Sequence, residues 1–369
     1  MPVLRVDLNK RGYPIHIGPG LLDRLGAYLA EIFPPATRIL VVGDSVTLNL
    51  FEVRAAQSLK GAGFEAGFFR VPRGEEAKEL GQVALVARAA ADFRLGRDDL
   101  LVALGGGAVG DLVGFCAASY MRGVSLVQVP TTLLAQVDSS VGGKVAVNLP
   151  GGKNMLGFFY QPRLVLMDTD VLESLPPREF RSGLMEIIKY GVLGDGELFL
   201  LLEKTVLPGG SLPREGLEDI IFKACRLKAE VVRRDEEETG PRMVLNLGHT
   251  LGHALERETG YEYFRHGEAV GIGMIWAARL SVRRGLLAAG EGQRIEALIG
   301  RGGFPSVPGS VTAEGLLDAM GRDKKRRGGE NNYVLIRRIG RVEVRRDVPK
   351  PLIKETLDQL LTQLKQGDG

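Results

Sequence analysis

Short apolar runs alternate with helix-period segments along the first half of the chain. The helical segments, 20–32 and 77–93 among them, carry apolar residues three and four positions apart. The runs are rich in Val, Leu and Ile, and they cover residues 3–8, 38–42, 64–71, 99–104, 125–129 and 164–168. Alternating strands and helices predict a mostly parallel, doubly wound α/β sheet.

The pattern changes after the pair Pro176-Pro177, where long helical periods take over. The predicted helices cover residues 179–193, 217–237, 244–258, 268–284 and 288–299. One late β-hairpin is predicted at 333–336 and 341–345, around Gly340. We therefore expect two domains, an α/β domain over residues 1–172 and a mainly α-helical domain over residues 173–369.

Composition and charge exclude several classes of protein. The chain has 369 residues, 44% hydrophobic and 25% charged, which is typical of a globular protein large enough for two cores. A net charge of +3 does not indicate nucleic-acid binding, and the basic run at 323–327 taken alone is typical of a surface turn. No apolar segment is long enough for a signal peptide or a membrane span. Two cysteines in apolar context, Cys116 and Cys225, favour buried thiols in a reducing cytoplasm.

Residues 105–110 read Gly-Gly-Gly-Ala-Val-Gly between a predicted strand and a predicted helix. This is the G-x-G-x-x-G pattern of Rossmann-like nucleotide domains in its required context. Glycines let the backbone approach a pyrophosphate, and the helix N-terminus offers N–H groups to it; a purely structural glycine turn is the alternative. No acidic residue ends a strand about 20 positions downstream. Asp44 is the better ribose candidate, although a helix N-cap explains it equally well.

Three of the four histidines, His249, His253 and His266, fall within 18 residues. With Arg242 and Asn246, the first two lie at offsets 0, 4, 7 and 11, which on one α-helix would share a face. Four polar groups on one face are costly to bury without a purpose. The cluster favours a metal site over helix caps or hydrogen-bonded core groups, with His253 either a ligand or a substrate contact.

Glu186 is the best candidate for a third metal ligand. It is a lone carboxylate in an apolar helical stretch, with Lys189 one turn away. Two histidines and one carboxylate leave an open position on Zn²⁺, as a catalytic site requires.

The polar stretch 122–154 contains two lysines, Lys144 and Lys153, each preceded by paired glycines. An ammonium group next to exposed backbone N–H groups favours anion binding. A glycine-rich surface loop is the alternative, but it does not explain Asp138, which lies with two small serines between the apolar residues Val137 and Val141.

Six stretches together resemble 3-dehydroquinate synthases, within the sugar-phosphate cyclase superfamily: GGGAVGDLVGF, MRGVSLVQVPTTLLAQVDSSVGGKVAVN, GGKNMLGFFYQP, LMEIIKYGVL, LNLGHTLGHALE and RHGEAVGIGM. The resemblance runs in register from about residue 44 to residue 325. It implies an N-terminal domain that binds NAD, a helical C-terminal domain, and a divalent metal, Zn²⁺ or Co²⁺, in the cleft between them.

The resemblance also implies roles for individual residues. The implied metal ligands are Glu186, His249 and His266. The implied NAD site is lined by Asp44, Glu75, Lys78, Gly106, Gly107, Ala108, Asp111, Thr131, Thr132 and Asp138, with Lys144 and Lys153 at its edge. The implied substrate residues are Arg122, Lys144, Lys153, Asn154, Lys189, Lys228, Glu238, Arg242, Asn246, His253 and Lys324. Lys324 would contact the phosphate and Arg122 would come from the partner subunit of a homodimer, while Ala108 stands where the family more often has valine.

The implied reaction converts 3-deoxy-D-arabino-heptulosonate 7-phosphate, a phosphorylated sugar acid, to 3-dehydroquinate and phosphate. It proceeds by transient NAD oxidation, phosphate elimination, re-reduction and an intramolecular aldol closure, in the shikimate pathway. Three alternatives stay open: another sugar-phosphate cyclase, a metal-dependent polyol dehydrogenase of similar architecture, and a non-catalytic NAD- or metal-binding regulator.

Overall fold

The computed structural model describes residues 2–150, 152–238, 240–326 and 332–365, with the backbone only for 322–326. Its contacts divide the chain into two compact units. The first comprises Met1–Leu175 and Leu217–Glu237, and the second comprises Pro176–Gly216 and Glu238–Gly369. None of the helices within the described ranges has the length and apolar character needed to cross a membrane.

The first unit is an α/β layer structure. Its strands are β1 (Val3–Val6), β2 (Tyr13–Gly18), β3 (Arg38–Asp44), β4 (Glu65–Val71), β5 (Leu100–Gly105), β6 (Ser125–Pro130), β7 (Lys144–Leu149), β8 (Gly152–Phe159) and β9 (Leu164–Asp168). Its helices are α1 (Leu25–Ala30), α2 (Ser45–Gly61), α3 (Leu80–Asp92), α4 (Gly107–Ser119) and, later in the chain, α7 (Leu217–Arg234). This confirms the α/β prediction for the first half.

Seven of these strands form one sheet in the order β1-β2-β9-β6-β5-β3-β4. All neighbours in it are parallel except β1 and β2. The central strands β3 and β5 are buried almost throughout, because helices cover both faces, and they therefore read as unbroken apolar runs.

The strand order reverses between β3 and β5. From β3 the chain moves outward to β4, and from β5 it moves the other way to β6. The loops that follow these two strands therefore diverge at the carboxyl edge of the sheet. Such a switch point is where doubly wound folds bind their ligands, and here it is bordered by Asp44 and Gly106.

Two elements of this unit did not stand out in the sequence. The strand β2 contains Pro14 and His16, which weaken the apolar pattern. The antiparallel hairpin β7–β8 lies inside the polar stretch 122–154, where glycines and lysines obscure any alternation of apolar and polar residues.

Helix α7 packs against β1, β2 and the turn Ala135–Ser139, so the contacts assign it to the first unit. From the sequence we expected it in the domain 173–369. Its buried face carries Ile221, Ala224 and Cys225, and a helical period alone does not reveal which layer such a face will cover. Both cysteines are buried free thiols, as predicted.

The second unit is mainly helical. Its helices are α5 (Pro177–Leu193), α6 (Gly196–Thr205), α8 (His249–Glu258), α9 (His266–Arg283), α10 (Ala289–Gly300), α11 (Ala313–Arg326) and α12 (Lys350–Lys365), and its strands are β10 (Tyr333–Arg338) and β11 (Arg341–Arg345). The two strands form the predicted antiparallel hairpin. Helix α9 is buried along nearly its whole length and contacts α5, α8, α10 and α12.

The prediction of one continuous helix over 244–258 is wrong. Residues Pro241–Asn246 form a 3-10 turn, and α8 begins only at His249. Gly248 adopts a left-handed conformation, with φ of 79°, which breaks the helix. A Cβ atom at Gly248 would lie 2.6 Å from the Val270 carbonyl oxygen, so this close approach to α9 also requires glycine. Arg242 and Asn246 consequently do not share a helical face with the histidines.

Gly273→Ala should destabilise the folded protein. A Cβ atom at Gly273 would lie 1.9 Å from the Gly248 carbonyl oxygen, and backbone cannot move aside as a flexible side chain can. We expect a loss of about 2–3 kcal/mol in the free energy of unfolding, measured by denaturant titration. Gly290→Ala is the control, because nothing lies within 4 Å of a Cβ atom there; equal losses in both variants would contradict this account.

Candidate nucleotide site and metal centre

The glycine loop after β5 leads directly into α4. Gly106 is the N-cap, and among the described residues no side chain caps this helix; the N–H groups of a helix's first turn have no partner within the helix and can bind an anionic ligand. A Cβ atom at Gly106 would lie 3.2 Å from Thr132 Cγ2, and one at Gly107 would lie 2.9 Å from Ser139 Oγ. The loop therefore lies close to the segment that follows β6, and side chains at these positions would obstruct it.

Asp44 is the N-cap of α2. Its Oδ1 accepts hydrogen bonds from the N–H groups of Val46, at 2.8 Å, and Thr47, at 2.9 Å. The N-cap interpretation is thus confirmed. It is compatible with a ribose contact, because the cap uses one carboxylate oxygen and β3 lies next to β5 in the sheet.

Lys78 joins α4 to the hairpin β7–β8. This buried lysine donates a hydrogen bond to Asp111 Oδ2 at 2.5 Å and also contacts Asn154 Oδ1. Burial raises the pKa of Asp111, and the positive charge of Lys78 opposes that shift. Beside this network, Glu75 accepts a hydrogen bond from Asn148 at 2.8 Å and lies 3.4 Å from Lys153 Nζ.

Lys228, on α7, is bonded to the turn Ala135–Ser139. Its Nζ donates to the Asp138 carbonyl oxygen and to Asp138 Oδ1, both at 2.5 Å. This contact explains the carboxylate between Val137 and Val141, because Asp138 is the counter-ion of a buried lysine. A residue implied for substrate and one implied for NAD are therefore direct neighbours.

The remaining expected residues of this unit occupy varied environments. Thr131 is buried and its N–H bonds to the Gly105 carbonyl oxygen at 2.9 Å, whereas Lys144 is exposed at the start of β7. Ala108 is half-buried in the first turn of α4. Arg122 is exposed, with φ of 68°.

In the second unit, three helices bring Glu186, His249 and His266 together. Glu186 lies in the middle of α5 and is 0% exposed, while the two histidines are the first residues of α8 and α9. Both Nε2 atoms lie 3.8 Å from Glu186 Oε1. These distances are too long for hydrogen bonds.

The outer nitrogen of each ring faces an acceptor. His249 Nδ1 lies 3.1 Å from the Leu247 carbonyl oxygen, and His266 Nδ1 lies 3.4 Å from Glu256 Oε1. A carbonyl cannot donate, so His249 carries its proton on Nδ1 and presents an Nε2 lone pair. Burial, reinforced by the charge of Lys189, lowers the pKa of His249 well below its usual range, so this ring is neutral and able to bind a metal.

These groups fit a divalent cation. Two ring nitrogens and a carboxylate oxygen converge, and neither oxygen of Glu186 has a hydrogen-bond partner within the described part of the chain, although Lys189 contacts Oε2. A tetrahedral zinc ion with ligands at about 2.1 Å keeps its ligand atoms about 3.4 Å apart, close to the 3.8 Å separations here. A cation would satisfy the buried carboxylate and the lone pairs together.

His253 lies to one side of this group. It is exposed, one turn after His249 on α8, and its ring centre is 5.4 Å from that of His249 and 6.1 Å from that of His266. With Glu256 and His266 it forms a second, overlapping group of potential ligands.

Of the other residues expected at the site in this unit, two lie on the turn before α8 and one lies on α5. Arg242 is almost fully buried on the turn Pro241–Asn246, and Asn246 donates to Glu238 Oε1 at 3.4 Å. Lys189 is buried beside Glu186. The Lys324 side chain lies outside the described residues.

Sequence reasoning missed the groups that hold α9 at its first turn. Arg178 pairs with both oxygens of the buried Glu268, at 2.7 and 2.8 Å, and Glu268 also accepts from the Arg265 N–H at 2.8 Å. Gly267 donates its N–H to Ser182 Oγ at 3.0 Å. These contacts fix His266 relative to α5, and a carboxylate three residues after the N-cap Arg265 was their signal in the sequence.

Comparison with solved structures identifies the class of protein. The chain superposes on a 2-deoxy-scyllo-inosose synthase solved with carbaglucose-6-phosphate, NAD⁺ and Co²⁺, with a TM-score of 0.87, 27% identity, and coverage of 97% of this chain and 99% of that one. It also matches a 2-epi-5-epi-valiolone synthase from Streptomyces hygroscopicus solved with NAD⁺ and Zn²⁺, with a TM-score of 0.86, 30% identity, and coverage of 95% and 97%. Fold and site thus define a relative of the sugar-phosphate cyclases.

Sequence comparison identifies the family. Residues 68–182 match the family described as 3-dehydroquinate synthase N-terminal, and residues 183–326 match its C-terminal counterpart. The chain is 46% identical to the 3-dehydroquinate synthase of Desulforamulus reducens, over 97% of this chain and 100% of that one. It is also 46% identical to that of Pelotomaculum thermopropionicum, over the full length of both. The chain belongs to the 3-dehydroquinate synthase family.

His249→Ala should abolish tight metal binding, because it removes one of three converging ligand atoms. His253→Ala is the matched control on the same helix and should retain the metal. Metal content after dialysis, measured by elemental analysis, distinguishes the two. A variant lacking His249 that keeps a full equivalent, or one lacking His253 that loses it, would refute this division of roles.

Proposed function

We propose that this chain is an enzyme that converts 3-deoxy-D-arabino-heptulosonate 7-phosphate to 3-dehydroquinate and phosphate, with NAD and a divalent metal as cofactors. The observation that carries the proposal is the convergence of Glu186, His249 and His266 in a chain of this family. The glycine loop at the strand reversal supports the NAD site.

When bound, NAD supplies reversible hydride transfer and the metal supplies Lewis acidity at substrate hydroxyl groups. The chain's own residues bind and orient the substrate. Arg242 can grip a carboxylate through two parallel hydrogen bonds, and Lys228 adds a positive charge. Lys228 already donates a hydrogen bond to Asp138. Substrate binding at this lysine would therefore alter a contact of Asp138, a residue proposed for the NAD site.

Other cations are proposed for the phosphate. Lys144, Lys153 and Lys324 supply ammonium groups, and Asn154 can donate an amide N–H. Asn154 is itself held by buried Lys78, which fixes its side chain before substrate arrives. Ammonium groups favour a dianionic phosphate over a neutral sugar, because a hydrogen bond between oppositely charged groups is stronger than one to a neutral hydroxyl group.

His253 is proposed as the proton relay. It is exposed and lies beside His249, where it can reach a substrate bound at the metal centre. An imidazole with a pKa near neutrality can accept and return a proton in one turnover. Lys189 and Glu238 complete the polar surroundings proposed for the substrate, and Asn246, bonded to Glu238, orients that carboxylate.

Purified protein with NAD and Zn²⁺ should release phosphate from this substrate without accumulating NADH, because the hydride is returned in each turnover. Phosphate would be measured colorimetrically and NADH by absorbance. Sugar phosphates that lead to an inosose or a valiolone, and glycerol, serve as comparison substrates. Release only from one of the first two would identify another cyclase, and steady NADH formation from glycerol would identify a dehydrogenase.

We further propose zinc as the resident metal, a cytoplasmic location and a homodimer. Buried free thiols support the location. The dimer is supported by strand β8, an edge strand of its hairpin on which Met155, Leu156, Phe158 and Phe159 are all exposed. Such an apolar edge strand is normally covered, and a second copy of the chain is the partner expected in this family.

Met155→Glu should weaken this dimer at least about tenfold, because an unpaired charge would be buried in the interface. Met155 is 50% exposed in the single chain. Val53→Glu, at a 68% exposed position on α2, is the control and should leave association unchanged. Sedimentation velocity over a concentration series measures both; a dimer that tolerates Met155→Glu would place the interface elsewhere.

A further inference from the structure

We propose that Glu256 is a positioning residue of the metal centre, holding His266 in the orientation and tautomer that bind the ion. This inference rests on the metal site proposed above. Glu256 and His249 lie seven residues apart on α8, which is two turns, so both side chains point from one helical face. Helix α8 would therefore supply a ligand at one end and the support for a second ligand at the other.

The position of Glu256 is unfavourable unless it has a cationic or donating partner. Its side chain is largely buried, and it lies in the last turn of α8. Burial penalises the carboxylate, and the negative end of the helix dipole penalises it again. His266 Nδ1, at 3.4 Å from Oε1, is a partner that offsets both penalties.

The ring of His266 has an oxygen acceptor on each side. Glu256 Oε1 faces Nδ1, and Glu186 Oε1 lies 3.8 Å from Nε2. A neutral imidazole has one N–H, and the shorter separation assigns it to Glu256. The Nε2 lone pair then points toward Glu186, which is the arrangement needed for both atoms to bind one cation.

The two histidine ligands have different outer partners. His249 is oriented by a backbone carbonyl, which no side-chain substitution removes, whereas His266 is oriented by a carboxylate. A carboxylate partner makes the imidazole a stronger electron donor to a metal. Glu256 and Glu186 together also match the double charge of the ion.

A graded series of substitutions tests this role. Glu256→Gln keeps an acceptor for Nδ1 and loses the charge, while Glu256→Ala loses both. We expect the affinity for Zn²⁺, measured by competition with a chromophoric chelator at fixed pH, to fall about 10–100-fold in the alanine variant and less in the glutamine variant. Glu258→Gln, an exposed carboxylate on the same helix, is the control and should bind zinc as the unmodified protein does.

Two further measurements separate positioning from other roles. The metal-free glutamine variant should unfold close to the temperature of the metal-free parent, because it keeps the size of the side chain and an acceptor for His266 Nδ1. With Co²⁺ as probe, the visible spectrum of the alanine variant should shift while one equivalent still binds. Unchanged zinc affinity in both variants would overturn the proposal. It would also be overturned if the parent bound two equivalents of zinc and the alanine variant only one, because Glu256 would then be a ligand of a second ion. A parent that binds no divalent metal would refute the metal site itself.

Discussion

One buried carboxylate constrains most of the second unit. Glu186 sits in an apolar helix with no exposure and no hydrogen bond among the described residues, which is stable only with positive charge close by. Lys189 supplies part of that charge, and the two imidazole nitrogens next to the same oxygen are the ligand atoms that a cation would need as well. Helix α5 must therefore meet the first residues of α8 and α9 at Glu186.

The packing that brings them together depends on glycine. A Cβ atom at Gly267 would lie 2.0 Å from the Ser182 carbonyl oxygen, so α9 can touch α5 beside His266 only without a side chain. At Gly248 and Gly273 the chain before α8 touches α9 in the same way. These contacts lock the first residues of α8 and α9, which are the two histidines, and the left-handed Gly248 directs His249 toward Glu186.

The sequence predicted the residue types of the site better than their arrangement. The three ligand candidates and the glycine loop could be named because motifs carry them. The prediction of a continuous helix through Arg242 and His253 was wrong. Offsets of four, seven and eleven residues fit a helix, but they do not show whether Gly248 continues the helix or adopts a left-handed conformation that ends it. The hairpin β7–β8 and the partnership of Glu256 with His266 depend on contacts between distant segments, which a single sequence does not encode locally.

Helix α8 then explains why the three functions proposed near the metal are so close in sequence. His249, His253 and Glu256 occupy positions one, five and eight of one rigid element, so a ligand, a relay and an orienting carboxylate keep fixed separations whatever the surrounding loops do. His266 comes from the next helix, and its position depends on the short connection from residue 259 to 265 and on the pairing of Arg178 with Glu268. Helix packing thus fixes the backbone of all three ligands, and the orientation of each imidazole ring is what the outer partners still have to set. At His249 a backbone carbonyl oxygen does this, and at His266 the Glu256 carboxylate takes that place.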